Sequence, residues 1–396
     1  MRAFYIFLIL SVAIPALGAS TPDSLHILLT DQKIQIEATQ AVNDMYNFKF
    51  DKAEMQFRWI KQKYPEHPLP YFLLGLSNWW KIMPNLDNET WDKEFLDYMD
   101  IAIEKSELIY EQDSDNNKIE AAFFLAACYG QKGRLYSERG SWGKAANAGR
   151  LALKYHKESE GMHELSPEFL FGDALYNYYS VWIRENYPLL RPIMIAFPKG
   201  DKQLGIEQLR KVAGDAFYTR IEAQLFLMRI LALDENDARS ALRISEYLHD
   251  NFPDNPYFHR FYARLLYSNG RREEMEKECL EILDRIEEGL SGYEANSGRY
   301  AGFFLGQYYE ARRRIPEAKK YYGLTVKFAR EIEAYESGYY LYSLFSLARI
   351  VDSEGSYDAA EMLLKEIRKN SKRKDAINKQ VREYQKIRKK ERKAGK

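Results

Sequence analysis

Residues 53–75 read Ala53-Glu54-Met55-Gln56-Phe57-Arg58-Trp59-Ile60-Lys61-Gln62-Lys63-Tyr64-Pro65-Glu66-His67-Pro68-Leu69-Pro70-Tyr71-Phe72-Leu73-Leu74-Gly75. An alanine is followed four residues later by a large aromatic, and a proline stands twelve residues beyond that alanine. Tyr71-x2-Leu74-Gly75 comes next, at the offset that a period of about 34 residues demands. The intervals recur downstream. Ala241 and Pro253 are again twelve apart, followed by Tyr262-Ala263-x2-Leu266 and then by Met275 and Cys279 in the next helix. Leu305-Gly306-x2-Tyr309 leads to Ala318-x3-Tyr322, and Leu347-Ala348 leads to Ala360-x3-Leu364. A single alanine–aromatic pair occurs by chance in any amphipathic helix, whereas repetition at matching internal offsets marks a repeat.

Outward from these stretches, the apolar pattern is helical from about residue 32 to 370, and strand signals are almost absent. Helices of about 12–20 residues alternate with short breakers. The breakers are Pro65 to Pro68, Gly140-Ser141, Asp250 to Pro256, Asn269-Gly270 and Glu354-Gly355-Ser356. The expected fold is all-α, an α-solenoid of antiparallel helix pairs stabilised by neighbour-on-neighbour packing.

The motifs resemble the tetratricopeptide repeat, with its W-x2-L-G-x2-Y, then A-x3-F, then P pattern. The resemblance implies a right-handed superhelix. In it the small residue of the first helix faces the small alanine of the second, the large residue four positions on packs against the next repeat, and the proline stops the second helix. The match is clear near residues 34–80, 222–285 and 299–368, and it is interrupted in an irregular helical middle over 81–221. There, Lys81 to Asp92 reads as an insertion between helices, and Tyr187 to Gly200 carries three prolines in an apolar setting. Leu170 to Tyr179, with Phe197-Pro198-Lys199-Gly200-Asp201 and Gly205-Ile206-x2-Leu209, is similar to a mitochondrial outer-membrane inclusion-clearance repeat family. That likeness implies a divergent repeat and nothing about activity.

In tetratricopeptide arrays, the first helices of successive pairs line a concave groove for a protein or peptide. The resemblance places Tyr257, Arg260, Arg264, Tyr267, Tyr300, Phe303, Gln307, Tyr342, Phe345 and Arg349 in that groove. Phe72, Leu76, Trp79 and Trp80 are the equivalents in the first region. Tyr and Arg suit a binding surface, although aromatics at these positions also serve simply to pack helices together.

The chain has 396 residues, with 58 Lys and Arg balanced by 58 Asp and Glu, which argues against a nucleic-acid partner. The neutral total conceals an asymmetry. Between Arg368 and Lys396 there are 14 basic and three acidic residues, so the tail carries +11 and the remainder −11. Ile377, Val381, Tyr384 and Ile387 put a thin apolar stripe on the basic tail, residues 371–396. The tail could touch anionic membrane or cell wall, or shield the last repeat. The start, MRAFYIFLILSVAIPALGAS, has the order of a secretory signal peptide over residues 1–19, with a retained anchor as the alternative. The expected location is therefore the cell envelope or periplasm. Two cysteines, Cys128 and Cys279, are too few for a disulfide framework and read as buried free thiols.

Catalytic motifs are missing. No H-E-x-x-H pair exists among the six histidines, and His156 with His163 makes a poor metal pair. The phosphate-loop likeness at Gly140 to Lys144 fails, because Glu138 and Ala145 stand where Gly and Ser or Thr belong. No cofactor, metal or catalytic residue is expected. The expected function is an exported, non-catalytic scaffold or adaptor. The alternatives are a membrane- or cell-wall-associated assembly factor using the tail and the 187–200 hairpin, and an enzyme whose site has no recognisable motif.

Overall fold

In the computed structural model, which describes residues 28–393 apart from 112–114, 165, 189–190 and 192–197, seventeen α-helices follow one another with no strand among the described residues. They are α1 (Gln32–Tyr46), α2 (Phe50–Lys63), α3 (Pro68–Ile82), α4 (Asp92–Glu111), α5 (Asp115–Glu138), α6 (Trp142–Ser159), α7 (Phe169–Asn186), α8 (Lys202–Asp215) and α9 (Arg220–Leu233). The series continues with α10 (Ala238–Asn251), α11 (Pro256–Ser268), α12 (Arg272–Glu287), α13 (Ala295–Ala311), α14 (Ile315–Glu331), α15 (Gly338–Ser353), α16 (Tyr357–Lys369) and α17 (Ala376–Lys393). Nearly every helix packs on its successor, and α11, α13 and α15 also touch one another in turn. The protein is an all-α solenoid. Each of the five sequence breakers falls in a turn between helices.

Local chemistry explains the boundaries. Asp31, Asp201, Asp237 and Asn255 each accept a hydrogen bond from an N–H in the first turn of α1, α8, α10 and α11, satisfying donors that have no partner within the helix. Prolines occupy the first turns of α3, α11 and α14, where the missing N–H costs nothing. The loop 83–91, within the Lys81 to Asp92 stretch that the sequence marks as an insertion, is held by Arg139. Its guanidinium pairs with Asp92 at 2.6 Å and donates to the carbonyls of Leu86 and Asn88.

Large side chains lie nearest the motif glycines. A Cβ on Gly306 would lie 2.5 Å from the ring of Tyr322, and one on Gly75 would lie 2.6 Å from the Met99 methyl group. The glycine is therefore a socket for the large residue of the following helix. Tyr322 cannot yield, because it is fully buried and its hydroxyl is fixed by Glu310 at 2.6 Å and Gln307 at 2.8 Å. Gly306→Ala is accordingly expected to destabilise the fold by about 1–3 kcal/mol. Urea denaturation would show it, and an unchanged midpoint would contradict the socket.

A set of contacts between distant parts of the chain crosses the array. Tyr46 at the end of α1 and Trp80 near the end of α3 are fully buried against Phe252 and Phe258, with ring centroids 5.7 and 5.2 Å apart respectively. The Asn255 side chain donates to the carbonyl of Tyr46 at 2.7 Å, and the Asp254 N–H donates to Asn47 at 2.8 Å. Pro84 O accepts from Arg260 at 2.5 Å and from Asn296 at 2.7 Å. At the centre, Glu222 accepts from Trp80 Nε1 at 2.9 Å, with Arg134 3.8 Å away and stacked 4.3 Å over Trp79. Burial pushes the Glu222 carboxyl up and the Arg134 guanidinium down from their ordinary values. These contacts form a seam between α1–α3 and α9–α13.

The basic tail from Ala376 to Lys393 is helix α17. Its Ile377 and Val381 are buried with residues of α15 and α16, Tyr384 donates to Asp352 at 2.5 Å, and Arg388 pairs with the same carboxylate. Ile387 remains exposed. Cys128 and Cys279 are buried free thiols. Residues 1–19, read as a signal peptide, and most of the 187–200 hairpin lie outside the described residues. Among the described residues no helix is long and apolar enough to cross a membrane.

Candidate functional site

Because α11, α13 and α15 are neighbours in space, residues spaced along three separate stretches of sequence come together on one layer. Arg264 and Tyr267 come from α11, Tyr300 and Phe303 from α13, and Tyr339 from α15, all of them half-buried. Tyr300 and Tyr339 have ring centroids 4.5 Å apart, Phe303 and Tyr339 4.9 Å, and Tyr267 and Phe304 4.8 Å. Guanidiniums lie against these rings, with Arg260 and Arg299 each 5.7 Å from the Tyr300 centroid and Arg272 3.6 Å from that of Tyr267. Such stacking holds the cations in place while leaving their edges able to donate.

Among the described residues, none of Arg260, Arg264 and Arg299 forms an ion pair. Arg299 donates to Asn296 at 2.7 Å, but its buried Nε has no partner. Burial, reinforced by Arg260, pushes the Arg299 guanidinium below its ordinary value. Tyr339 is pushed up to about 12, first by burial and then by Tyr300. A carboxylate arriving here would meet guanidiniums that form no ion pair, although Glu294 and Asp87 lie within electrostatic reach of Arg260 and Arg299, and a flat side chain would find rings to stack on.

The chain matches no known family model, and no curated protein resembles it in sequence.

The ten residues expected in the groove divide into three groups. Tyr257 and Arg260 are buried in the seam, Tyr257 edge-on to Trp80 and Arg260 bonded to Pro84. Arg264, Tyr267, Tyr300 and Phe303 form the half-exposed centre. Gln307, Tyr342, Phe345 and Arg349 continue toward the C-terminal end but are engaged internally. Gln307 donates to Tyr322, Arg349 pairs with Glu310, Phe345 packs on Tyr384, and Tyr342 lies against the second core cluster. In the first region Leu76, Trp79 and Trp80 are buried, and half-buried Phe72 packs on Phe124 at 5.8 Å.

Two residues of the centre escaped the sequence reading. Arg299 stands one position before an expected groove tyrosine, and Tyr339 three positions before another. The signal was available one helical turn away, since Arg299 is at i, i+4 to Phe303 and Tyr339 at i, i+3 to Tyr342.

Proposed function

We propose that this chain is an exported, non-catalytic scaffold built of tetratricopeptide-like repeats, which holds an extended protein segment bearing acidic and aromatic side chains. The observation that carries this reading is the half-exposed layer of Arg264, Tyr267, Arg299, Tyr300, Phe303 and Tyr339. It combines unpaired guanidiniums with aromatic faces on successive first helices of the pairs. Tyr and Arg are the residues that dominate protein interfaces, and an extended ligand running across α11, α13 and α15 would meet one such group per pair. The repeat spacing supports the same reading, and the signal-like N-terminus supports its placement in the cell envelope.

The test is photo-crosslinking in the native host, with a crosslinkable residue at position 303 and a control at position 362, where Met362 is exposed on α16. A partner identified by mass spectrometry is expected at 303 and not at 362. Its yield should fall at least tenfold with Tyr300→Ala and Arg264→Ala combined, while helicity by circular dichroism is kept. Tyr257 and Arg260 are unsuitable for this test, because changing them would open the seam. Absence of any partner at 303, or equal capture at 362, would remove the reading.

A further inference from the structure

Three helices in the middle of the array bring together side chains with no motif spacing in sequence. His249 closes α10, His259 lies in α11 and Glu278 in α12. One ligand atom from each lies within 4.8 Å of the others. Glu278 Oε2 is 3.0 Å from His259 Nε2 and 3.4 Å from His249 Nε2. Despite these short separations, none of the three atoms makes an aligned hydrogen bond, and His259 is fully buried. Three potential ligand atoms face one another.

The His259 ring is also held from its other nitrogen. Arg285 Nη1 donates to the Tyr293 hydroxyl oxygen at 3.0 Å, and the Tyr293 O–H faces the carbonyl of Pro253 at 3.4 Å. The same oxygen lies 2.9 Å from His259 Nδ1, within hydrogen-bond distance. In the tautomer with its proton on Nδ1, His259 would turn an unprotonated Nε2 toward the Glu278 carboxylate, which is the form a metal ligand takes. Two acceptors at this separation repel unless a cation sits between them. A proton would serve one line of contact, whereas a metal ion serves all three.

We infer that His249, His259 and Glu278 form a binding site for a divalent zinc-like ion, which ties α10, α11 and α12 together. A tetrahedral zinc with bonds of about 2.0–2.1 Å has ligand–ligand edges of about 3.3 Å, close to the two separations to Glu278. Two imidazoles and one carboxylate are a common three-ligand set for this ion, with solvent as the fourth ligand. The His249 side chain is 15% exposed and gives the site its route to water. Outer contacts hold the ligands as metal-bound imidazoles are usually held. Tyr293 orients His259, and the His249 ring stacks on Tyr262 with centroids 4.9 Å apart. Since α11 also carries Arg264 and Tyr267, the ion would set the helix from which one edge of the aromatic layer is built.

The experiment uses the full chain without a histidine tag, stripped with chelator and titrated with cobalt(II) and then with zinc(II). One equivalent of cobalt is expected to give intense visible d–d bands of four-coordinate geometry, which one equivalent of zinc then abolishes. His249→Asn and Glu278→Gln are each expected to weaken zinc affinity at least 100-fold by calorimetry. A wild-type protein that gives no stoichiometric cobalt spectrum overturns the inference, whatever the variants do. Folded variants that bind zinc as tightly as wild type overturn it equally, because the ion would then sit elsewhere.

Discussion

Replacing Glu168 with alanine is expected to lower the unfolding free energy by about 3–5 kcal/mol, among the largest losses available to a single polar substitution here. Glu168 stands one residue before α7 and is almost wholly buried. Its carboxylate accepts from the backbone N–H groups of Phe217, Tyr218 and Thr219 at 2.6, 2.8 and 2.9 Å, and from the Thr219 hydroxyl at 2.6 Å. Those three residues lead directly into α9, and the Thr219 side chain makes no cap of its own. Glu168 thus does from about 50 residues away what an N-cap side chain does locally, and it places a negative charge at the positive end of the helix. Truncation would leave three N–H donors facing protein with no acceptor. Glu168→Gln keeps the volume and one oxygen but turns an amide N–H₂ toward donors, so a smaller loss of about 1–3 kcal/mol is expected. Urea denaturation followed by circular dichroism would measure both. A loss below about 1 kcal/mol for the alanine variant would mean that water reaches these donors, contrary to their burial.

Glu168 also illustrates what could be read from sequence and what could not. The breakers, the helix pairs and the all-α class were legible because each rests on local chemistry: Gly270 turns a loop at φ 78°, and Asn255 caps a helix that Pro256 begins. The centre of the aromatic layer was partly legible, because repeat offsets put Tyr300 and Phe303 on one helical face. Contacts between distant stretches left no local trace. Asn255 belongs to the breaker read over Asp250 to Pro256, and nothing near it in sequence says that its amide reaches the Tyr46 carbonyl 209 residues away. The same holds for His249, His259 and Glu278, whose spacing fits no ligand motif because three separate helices supply them. Tyr257 and Arg260 matched the groove pattern, yet the seam, formed by partners outside their own repeat, covers both.

The seam makes the second large prediction. Trp80→Ala is expected to cost about 3–5 kcal/mol, the range for emptying a large aromatic site in a packed core. Trp80 is fully buried with centroids 5.1 Å from Tyr46 and 5.2 Å from Phe258, and it supplies the shortest hydrogen bond to Glu222. Its removal therefore opens a cavity and also leaves a buried carboxylate short of a donor. Trp80→Phe restores most of the volume without the N–H, so about 1–3 kcal/mol should remain as the share of the hydrogen bond. The location of the damage is as diagnostic as its size. In a solenoid stabilised only by nearest neighbours, a defect in α3 weakens α2 and α4 and fades along the chain. Here α3 also rests on α9 and α11, so amide hydrogen exchange should accelerate in α1–α3 and in α9–α11 together, while α14–α16 keep their protection. Acceleration confined to α2–α4 would show that the seam adds contacts without cooperativity. Joint acceleration would mean that the first helices brace the helix carrying Arg264 and Tyr267, and that a ligand seated on that layer should in turn protect α1–α3 from exchange.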